Sequence, residues 1–321
     1  MSIFYEVVQQ TMFFTIPLLL VALGGMFSEK SGVINIALEG IMVIGAFFGI
    51  LFINIIQTDF NLSPSLLLFL ALLVAVLTGM IFSILLAIAG INLRADQTIG
   101  GTALNLFAPA FVVYIARTRT NVKQVYFTNV FRIKEVKYLS NIPVIGDMFF
   151  KNTYLTTYLG LIILLLSVFI LYKTRFGLRL SSCGEHPSAA ESVGINVYIM
   201  RWWGVLISGA LAGLGGLIFV IPTSVSFSGT VAGYGFLALA VMIFGQWKPT
   251  KILLASLFFG FTKAVSSMYS SIPILNTLSI PNASYIYKML PYVATLIVLA
   301  FTSKKSKAPK ASGLPYDKSA R

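Results

Sequence analysis

Charge is scarce in this chain, and negative charge is scarcest. Of 321 residues only 10% are Asp, Glu, Lys or Arg, and ten of them are carboxylates. There is one histidine, His186, and one cysteine, Cys183. Ten carboxylates, most of them between apolar runs, supply no trio of nucleophile, base and orienting group, so enzymatic chemistry inside a membrane finds no support. A lone cysteine excludes an internal disulfide framework, and a histidine with no second His or Cys nearby offers no metal site. No G-x-x-x-x-G-K-[ST] loop occurs, so the chain cannot itself hydrolyse ATP by that common route. No basic stretch precedes the first apolar run, so we expect no cleaved signal peptide and a retained first span.

What the chain has instead is apolar length. Hydrophobic residues make up 57% of it, and the mean hydropathy is +0.89. That much apolar surface exceeds what one water-soluble core can hide. Runs close to the ~20 residues an α-helix needs to cross a bilayer occur at Thr11–Phe27, Val33–Ile56, Leu66–Ala89, Thr98–Ala116, Tyr154–Tyr172, Trp202–Ile221, Thr230–Gly245, Ile252–Ser270 and Ala283–Phe301. None alternates with period two, so a membrane barrel is excluded and the expected class is all-α, polytopic, with about nine (eight to ten) spans. We divide the chain into a membrane domain, 1–302, and a polar, Lys- and Pro-containing tail, 303–321, expected to be disordered.

The formal net charge of +13 is distributed as topology rather than as a nucleic-acid surface. Lys304, Lys305, Lys307 and Lys310 in the tail, and Lys173, Arg175, Arg179 and Arg201 in the loop at about 173–201, place both segments in the cytoplasm. Counting back, Arg94 is inside, while Asp59 and the N-terminus are outside. One loop breaks the rule: Arg117, Arg119, Lys123, Arg132, Lys134, Lys137 and Lys151 fall in a segment that the count makes external. Either a re-entrant segment is missed or this loop is a basic docking surface.

Four passages carry more specific information. In SEKSGVINIALEG, Asn35 and Glu39 are four residues apart and share a helix face. A carboxylate at that depth is costly, so Glu39 either lines a polar path or braces a neighbouring helix end. Gly40–Gly45 aligns loosely with Ala240–Gly245, and the two run in opposite directions across the membrane, as an inverted repeat requires. Gly209 and Gly213 stand in GxxxG spacing with Gly216 one turn on, for close helix packing within the fold or at a subunit interface. Lys263, in the middle of a span, must face water or a partner. Finally, Pro187 to Gly194 reads as a short helix opened by proline and stopped by glycine, either a partner-docking element or an amphipathic connector.

That loop resembles the coupling segment of ABC importer permeases of the branched-chain amino acid and ribose superfamily. Its pattern Gly-x-x-x-x-Ala-Ala-x-x-x-Gly-Ile is met by Gly184, Ala189, Ala190, Gly194 and Ile195, with Glu185 beside the first glycine. SEKSGVINIALEG, LRADQTIGGTALNL (93–106) and GYGFLALAVMIFG are similar to the nucleoside-transporting branch. The resemblance implies a permease in a bacterial inner membrane, C-terminus cytoplasmic. It would work with a second homologous permease, two ATPase subunits and an external substrate-binding lipoprotein. It would bind no cofactor directly, ATP being used by the ATPases. A neutral, flat substrate asks for sparse polar groups, and Asn35, Glu39 and Asn105 are the path candidates. The alternatives are a sugar or branched-chain amino-acid importer permease and, from a different class, a self-sufficient ion-coupled transporter. The last would need more intramembrane acids than Glu39.

Overall fold

The computed structural model describes residues 2–60, 62–136, 139–143, 146–272, 283–302 and 308–318. The long apolar runs become helices because a backbone in lipid must satisfy its own polar groups. In chain order these are α1 (Ser2–Lys30), α2 (Leu38–Asp59), α3 (Pro64–Ala87, continuing through a π-helical turn, Ile88–Asn92) and α4 (Gln97–Thr120). They are followed by α5 (Leu155–Lys173), α6 (Arg175–Glu185), α7 (Pro187–Ser192), α8 (Val197–Thr223), α9 (Tyr234–Phe244), α10 (Pro249–Met268) and α11 (Ala283–Thr302). Among the described residues the strands form two small antiparallel pairs. β1 (Val125–Tyr126) pairs with β4 (Ser226–Phe227), and β2 (Arg132–Glu135) with β3 (Lys151–Tyr154).

Local chemistry sets the ends. Ser63 is extended and Pro64 opens α3, where the missing N–H costs nothing. Asp96 caps α4, its carboxylate accepting from the Thr98 and Ile99 amides at 2.7 and 3.1 Å. Those two bonds, that from Ile99 first, hold the Asp96 carboxyl below its usual range. Asn196 caps α8 by accepting from Ile199 N–H at 3.1 Å.

The all-α, polytopic class expected from the sequence is what the chain forms. Among the described residues, seven helices (α1 to α5, α8 and α10) are long and apolar enough to cross a membrane, and α11 covers the last expected span. One expected span is corrected. Thr230–Gly245 yields only the 11 residues of α9, about 16 Å at 1.5 Å per residue against a hydrocarbon thickness of roughly 30 Å. The chain still crosses the bundle there, because residues 224–233 supply the rest of the distance in non-helical form.

α1 and α8 form the centre. The apolar window of α1 is 94% buried, against 28% for α4, whose outer face is left for lipid. α1 and α8 run antiparallel in close contact, and so do α3 and α8. A Cβ on Gly209 would meet Ser83 and the Gly79 carbonyl of α3, one on Gly213 would meet Gly79 and the Ala75 carbonyl, and one on Gly216 the Met42 carbonyl of α2. All three glycines therefore face backbone of this same chain, where small residues let helices approach.

The bundle has two distinct ends. At one, the segment 121–154 is pinned to α2 and α8. Asn54 and Gln57 donate to the Tyr126 and Thr128 carbonyls at 2.8 and 2.9 Å, and Asn129 donates to the Ile221 carbonyl at 2.7 Å. The basic loop thus lies at the end opposite α6 and α7, as the span count requires; Lys137 lies outside the described residues. At the other end the tail departs from expectation. Residues 303–307 and 319–321 lie outside the described residues, but 308–318 are seated against α6, α7 and the α1–α2 turn. The Ala311 amide donates to the Gly184 carbonyl at 2.8 Å and that of Gly313 to the Gly32 carbonyl at 3.2 Å. The composition is polar, yet Ala311 and Tyr316 are buried; these two side chains and the backbone bonds hold a stretch that composition marks as unstructured.

Candidate translocation and coupling sites

Two interruptions in the helices organise the interior. After α1 the chain turns at Ser31–Gly32, with Gly32 at φ +96°, and re-enters the bundle before α2 begins. Gly25, five residues before the end of α1, is already level with Leu38 and with Met242 of α9. The second interruption is 224–233, which ends with Ala232 and Gly233 both at positive φ (54° and 78°).

The sequence candidates Asn35, Glu39 and Asn105 all lie at the first break and at its meeting with the second. Glu39, in the first turn of α2, is buried, and its two carboxylate oxygens accept from the Gly233 and Gly235 amides at 2.9 and 2.6 Å. It thereby caps the N-terminus of α9, where free amides and the helix dipole favour an anion. Gly235 lies so close to the Glu39 backbone that a Cβ there would collide with it. Of the two roles open to Glu39, this geometry is the brace. Asn105 does for α2 what Glu39 does for α9. Its Oδ1 accepts from the Gly40 amide at 2.7 Å and its Nδ2 donates to the Ile36 carbonyl at 2.8 Å. Asn35 donates to Ser208 Oγ at 2.8 Å, and its Oδ1 is buried with no hydrogen-bond partner among the described residues. Gln97, not among the sequence candidates, completes the set by accepting from the Ile34 amide at 2.8 Å. Its one sequence signal is its place in LRADQTIGG, the stretch that packs on the break.

The second break borders a cavity. A space of about 490 Å³ lies between α1, the end of α8, residues 224–232 and α10. Its walls mix aromatic and hydroxyl groups, among them Phe14, Phe219, Thr223, Ser228 and Thr230, with Gln10 and Lys263. Tyr234, the first residue of α9, packs against both aromatics, its ring centroid 4.1 Å from that of Phe219 and 6.3 Å from that of Phe14. Lys263 thus lines a cavity of mixed aromatic and polar character. Of these residues only Lys263 stands out in the sequence. The nearest sequence signal is the GYGFLALAVMIFG passage that follows, since interrupted helices border binding sites.

The coupling candidates divide by exposure. Glu185, Ala189 and Gly194 are exposed, Ile195 is half-buried, and Gly184 and Ala190 are buried. Gly184 abuts the Lys30 carbonyl so closely that a Cβ would collide with it. Ala190 joins Cys183, Val197 and Tyr316 in a small separate core. Burial pushes the Cys183 thiol up, which keeps it protonated and inert. α7 ends in a Schellman arrangement. The Ile195 amide donates to Ala190 O at 3.1 Å and that of Gly194 to Glu191 O at 2.8 Å, with Gly194 at φ +84°. That turn presents Val193 outward, 74% exposed. Ala189, Val193 and Gly194 form the outward tip, while Gly184 and Ala190 anchor it.

Comparisons with known proteins give the chain its family. The family described as branched-chain amino acid transport system / permease component matches residues 7–299. The nucleoside ABC transporter permease protein NupC of Lactococcus lactis subsp. cremoris is 44% identical over 98% of this chain and 97% of its own. The guanosine ABC transporter permease protein NupQ of Bacillus subtilis is 41% identical over 98% and 97%. The nucleoside ABC transporter permease protein NupB of the same Lactococcus is 29% identical over 48% of this chain and 42% of its own. No solved structure matches the chain.

Proposed function

The chain belongs to the branched-chain amino acid transport system permease family, and from that premise we propose that it is the nucleoside-translocating permease of an ATP-driven importer. The observation that carries the substrate class is near full-length likeness, above 40% identity, to permeases named for nucleoside and guanosine transport. The cavity beside α9 is compatible with it. Its volume falls within the roughly 300–1,000 Å³ typical of small-molecule sites, and a neutral heteroaromatic ring with a polyhydroxyl sugar suits Phe14 and Phe219 among hydroxyls. Aromatic faces accept any base, which favours a broad nucleoside specificity over a single one.

In this reading the end bearing α6, α7 and the tail is cytoplasmic, and the membrane is the bacterial cytoplasmic membrane. Two separate ATPase subunits meet the tip formed by Ala189, Val193 and Gly194 and hydrolyse the ATP; the permease itself binds no cofactor. A second, homologous permease completes the pathway, and the likeness to NupB, a permease from the same bacterium as NupC, supports that pairing. The basic segment with Arg117, Arg119, Lys123, Arg132 and Lys134 faces the outside and receives an acidic surface of the substrate-binding lipoprotein. Closure of the ATPases moves α7, and the two broken-helix starts shift relative to one another to open the cavity inward.

Uptake of radiolabelled guanosine by cells carrying the operon tests the substrate. Deleting this chain should abolish it, whereas unchanged purine uptake with loss of sugar or branched-chain amino-acid uptake would overturn the assignment. Ala189→Arg tests coupling: insertion should be normal and ATP-stimulated transport lost, because bulk at the exposed tip prevents docking. Normal transport would remove the tip from the interface.

A further inference from the structure

The tail beyond residue 307 has a polar composition with lysine, serine and proline, yet residues 308–318 make many polar contacts with their end of the bundle. Its turn is held by Ser312 N–H to Pro309 O at 3.0 Å. Gly313 has φ +80° and sits where a Cβ would come within 2.7 Å of Ile34 Cδ1, so the tail is fitted to the break between α1 and α2. Arg201 of α8, 1% exposed, donates from Nη1 to the Leu314 carbonyl at 2.9 Å. Its guanidinium lies 5.8 Å from the centroid of the Tyr316 ring. The Tyr316 ring fills the small core of the coupling segment with Cys183, Ala190 and Val197. Its hydroxyl bonds Glu191 of α7, and Lys318 pairs with the same carboxylate at 3.2 Å. Asp317, which follows Tyr316, pairs with Arg94 at 2.6 Å, two residues before the Asp96 cap of α4.

These contacts form a continuous chain from the coupling tip to the interior. α7 holds Tyr316 through Glu191, Asp317 holds Arg94, and α4, starting there, holds the first break through Gln97 on Ile34 and Asn105 on Gly40. Gly40 follows Glu39, which caps α9 beside the cavity. We infer that residues 308–318 are a strap that joins the coupling segment to α4. Tyr316 and Asp317 are then positioning residues through which ATPase movement reaches the two broken-helix starts. The inference rests on the importer reading above, because it needs an ATPase that moves α7.

Several routes lead from α7 toward the first break. One is covalent, through 193–196 into α8, whose Ser208 holds Asn35, and one passes back through α6, where Gly184 abuts Lys30. The strap is the route that ends on α4, whose Gln97 and Asn105 hold the amides of Ile34 and Gly40. Cutting the strap should leave the ATPases bound and cycling while transport per cycle falls. The strap ion pair is partly exposed, so its loss should not unfold the bundle, and Tyr316→Phe keeps the ring in its core while removing the hydroxyl.

The test uses the complete complex of both permeases, ATPases and binding protein in proteoliposomes, with guanosine uptake and ATP hydrolysis measured together. For Tyr316→Phe combined with Asp317→Ala, copurification of the ATPases and hydrolysis within about twofold of wild type are expected, while nucleoside carried per ATP falls about fivefold. The exchanged pair Arg94→Asp with Asp317→Arg, with Tyr316 intact, should recover most of the ratio lost by Asp317→Ala alone; a merely structural tail gives no such rescue. Unchanged uptake per ATP in the double variant overturns the strap while leaving the importer reading intact. Loss of ATPase copurification also overturns it, making the tail a docking element instead. A wild-type complex that neither binds ATPases nor carries guanosine overturns both.

Discussion

Among the described residues the chain is broken twice inside the bundle, between α1 and α2 and between α8 and α9, and the two breaks are finished differently. At the first, residues 31–37 are closed over by side chains: Gln97 takes the Ile34 amide, Asn105 the Gly40 amide and the Ile36 carbonyl, and Ser208 accepts from Asn35. At the second, a carboxylate from the first break caps the helix, and on the other side residues 224–232 face the cavity of about 490 Å³. Both breaks free backbone groups that lipid cannot satisfy. One satisfies them with neighbouring side chains; the other leaves part of its lining open to a cavity. Polar residues deep in a span therefore mark the fixed break as readily as the path, and Asn35, Glu39 and Asn105 are its fixings.

The largest effect should come from Glu39, where the two breaks meet. Glu39→Ala orphans the Gly233 and Gly235 amides, each costing about 1–3 kcal/mol when buried without a partner. We expect a marked fall in the thermal midpoint of the detergent-purified protein and loss of transport together. A variant that melts like wild type but fails to transport would instead put Glu39 on the path and erase the distinction between the breaks. Asn105→Ala should rank next. It removes one acceptor and one donor at the α2 start, at an expected cost of about 1–3 kcal/mol, with nucleoside KM unchanged in whatever protein folds. A raised KM at normal stability would move the first break into the path.

How far the sequence foretold this follows from the same comparison. The spans were legible because apolar length is a property of single segments, and α9 was misjudged because ten to sixteen apolar residues look alike whether a helix fills them or a half-helix and a loop share them. Pro187, Ala190 and Gly194 foretold α7 because helix stops are local. Glu39 could be narrowed only to two roles, since the amides it caps lie almost two hundred residues away and no local pattern points to them. The hydroxyls around the cavity carry no periodic signal at all; Thr223, Ser228 and Thr230 resemble ordinary loop residues until α1 and α10 close over them. The tail misled for the opposite reason. Its composition is that of a disordered segment, and its order comes from Arg201, Glu191 and Arg94, all supplied by distant parts of the chain.

At the cavity the expected effects are smaller and fall on transport alone. Phe219→Leu keeps an apolar side chain against Tyr234 but removes the aromatic face. Base stacking on an aromatic side chain contributes about 1–3 kcal/mol, so nucleoside KM should rise about tenfold while the melting temperature of the complex stays near that of wild type. An unchanged KM would detach this wall from the substrate.

Ser228→Ala is the finest probe of the comparison. Ser228 is exposed to the cavity, one residue beyond the paired strand β4 and one before Gly229, so removing its hydroxyl orphans no buried backbone group. A hydrogen bond from a neutral hydroxyl to a sugar contributes about 0.5–1.5 kcal/mol net, which corresponds to a rise of about twofold to tenfold in KM for a ribonucleoside. The same variant should leave transport of a nucleoside lacking the contacted sugar hydroxyl unaltered, since that substrate never made the bond. Equal losses for both substrates would mean that Ser228 acts by shaping 224–233 rather than by touching the sugar. The second break would then be a fixed element like the first, and the substrate path would have to lie outside this cavity.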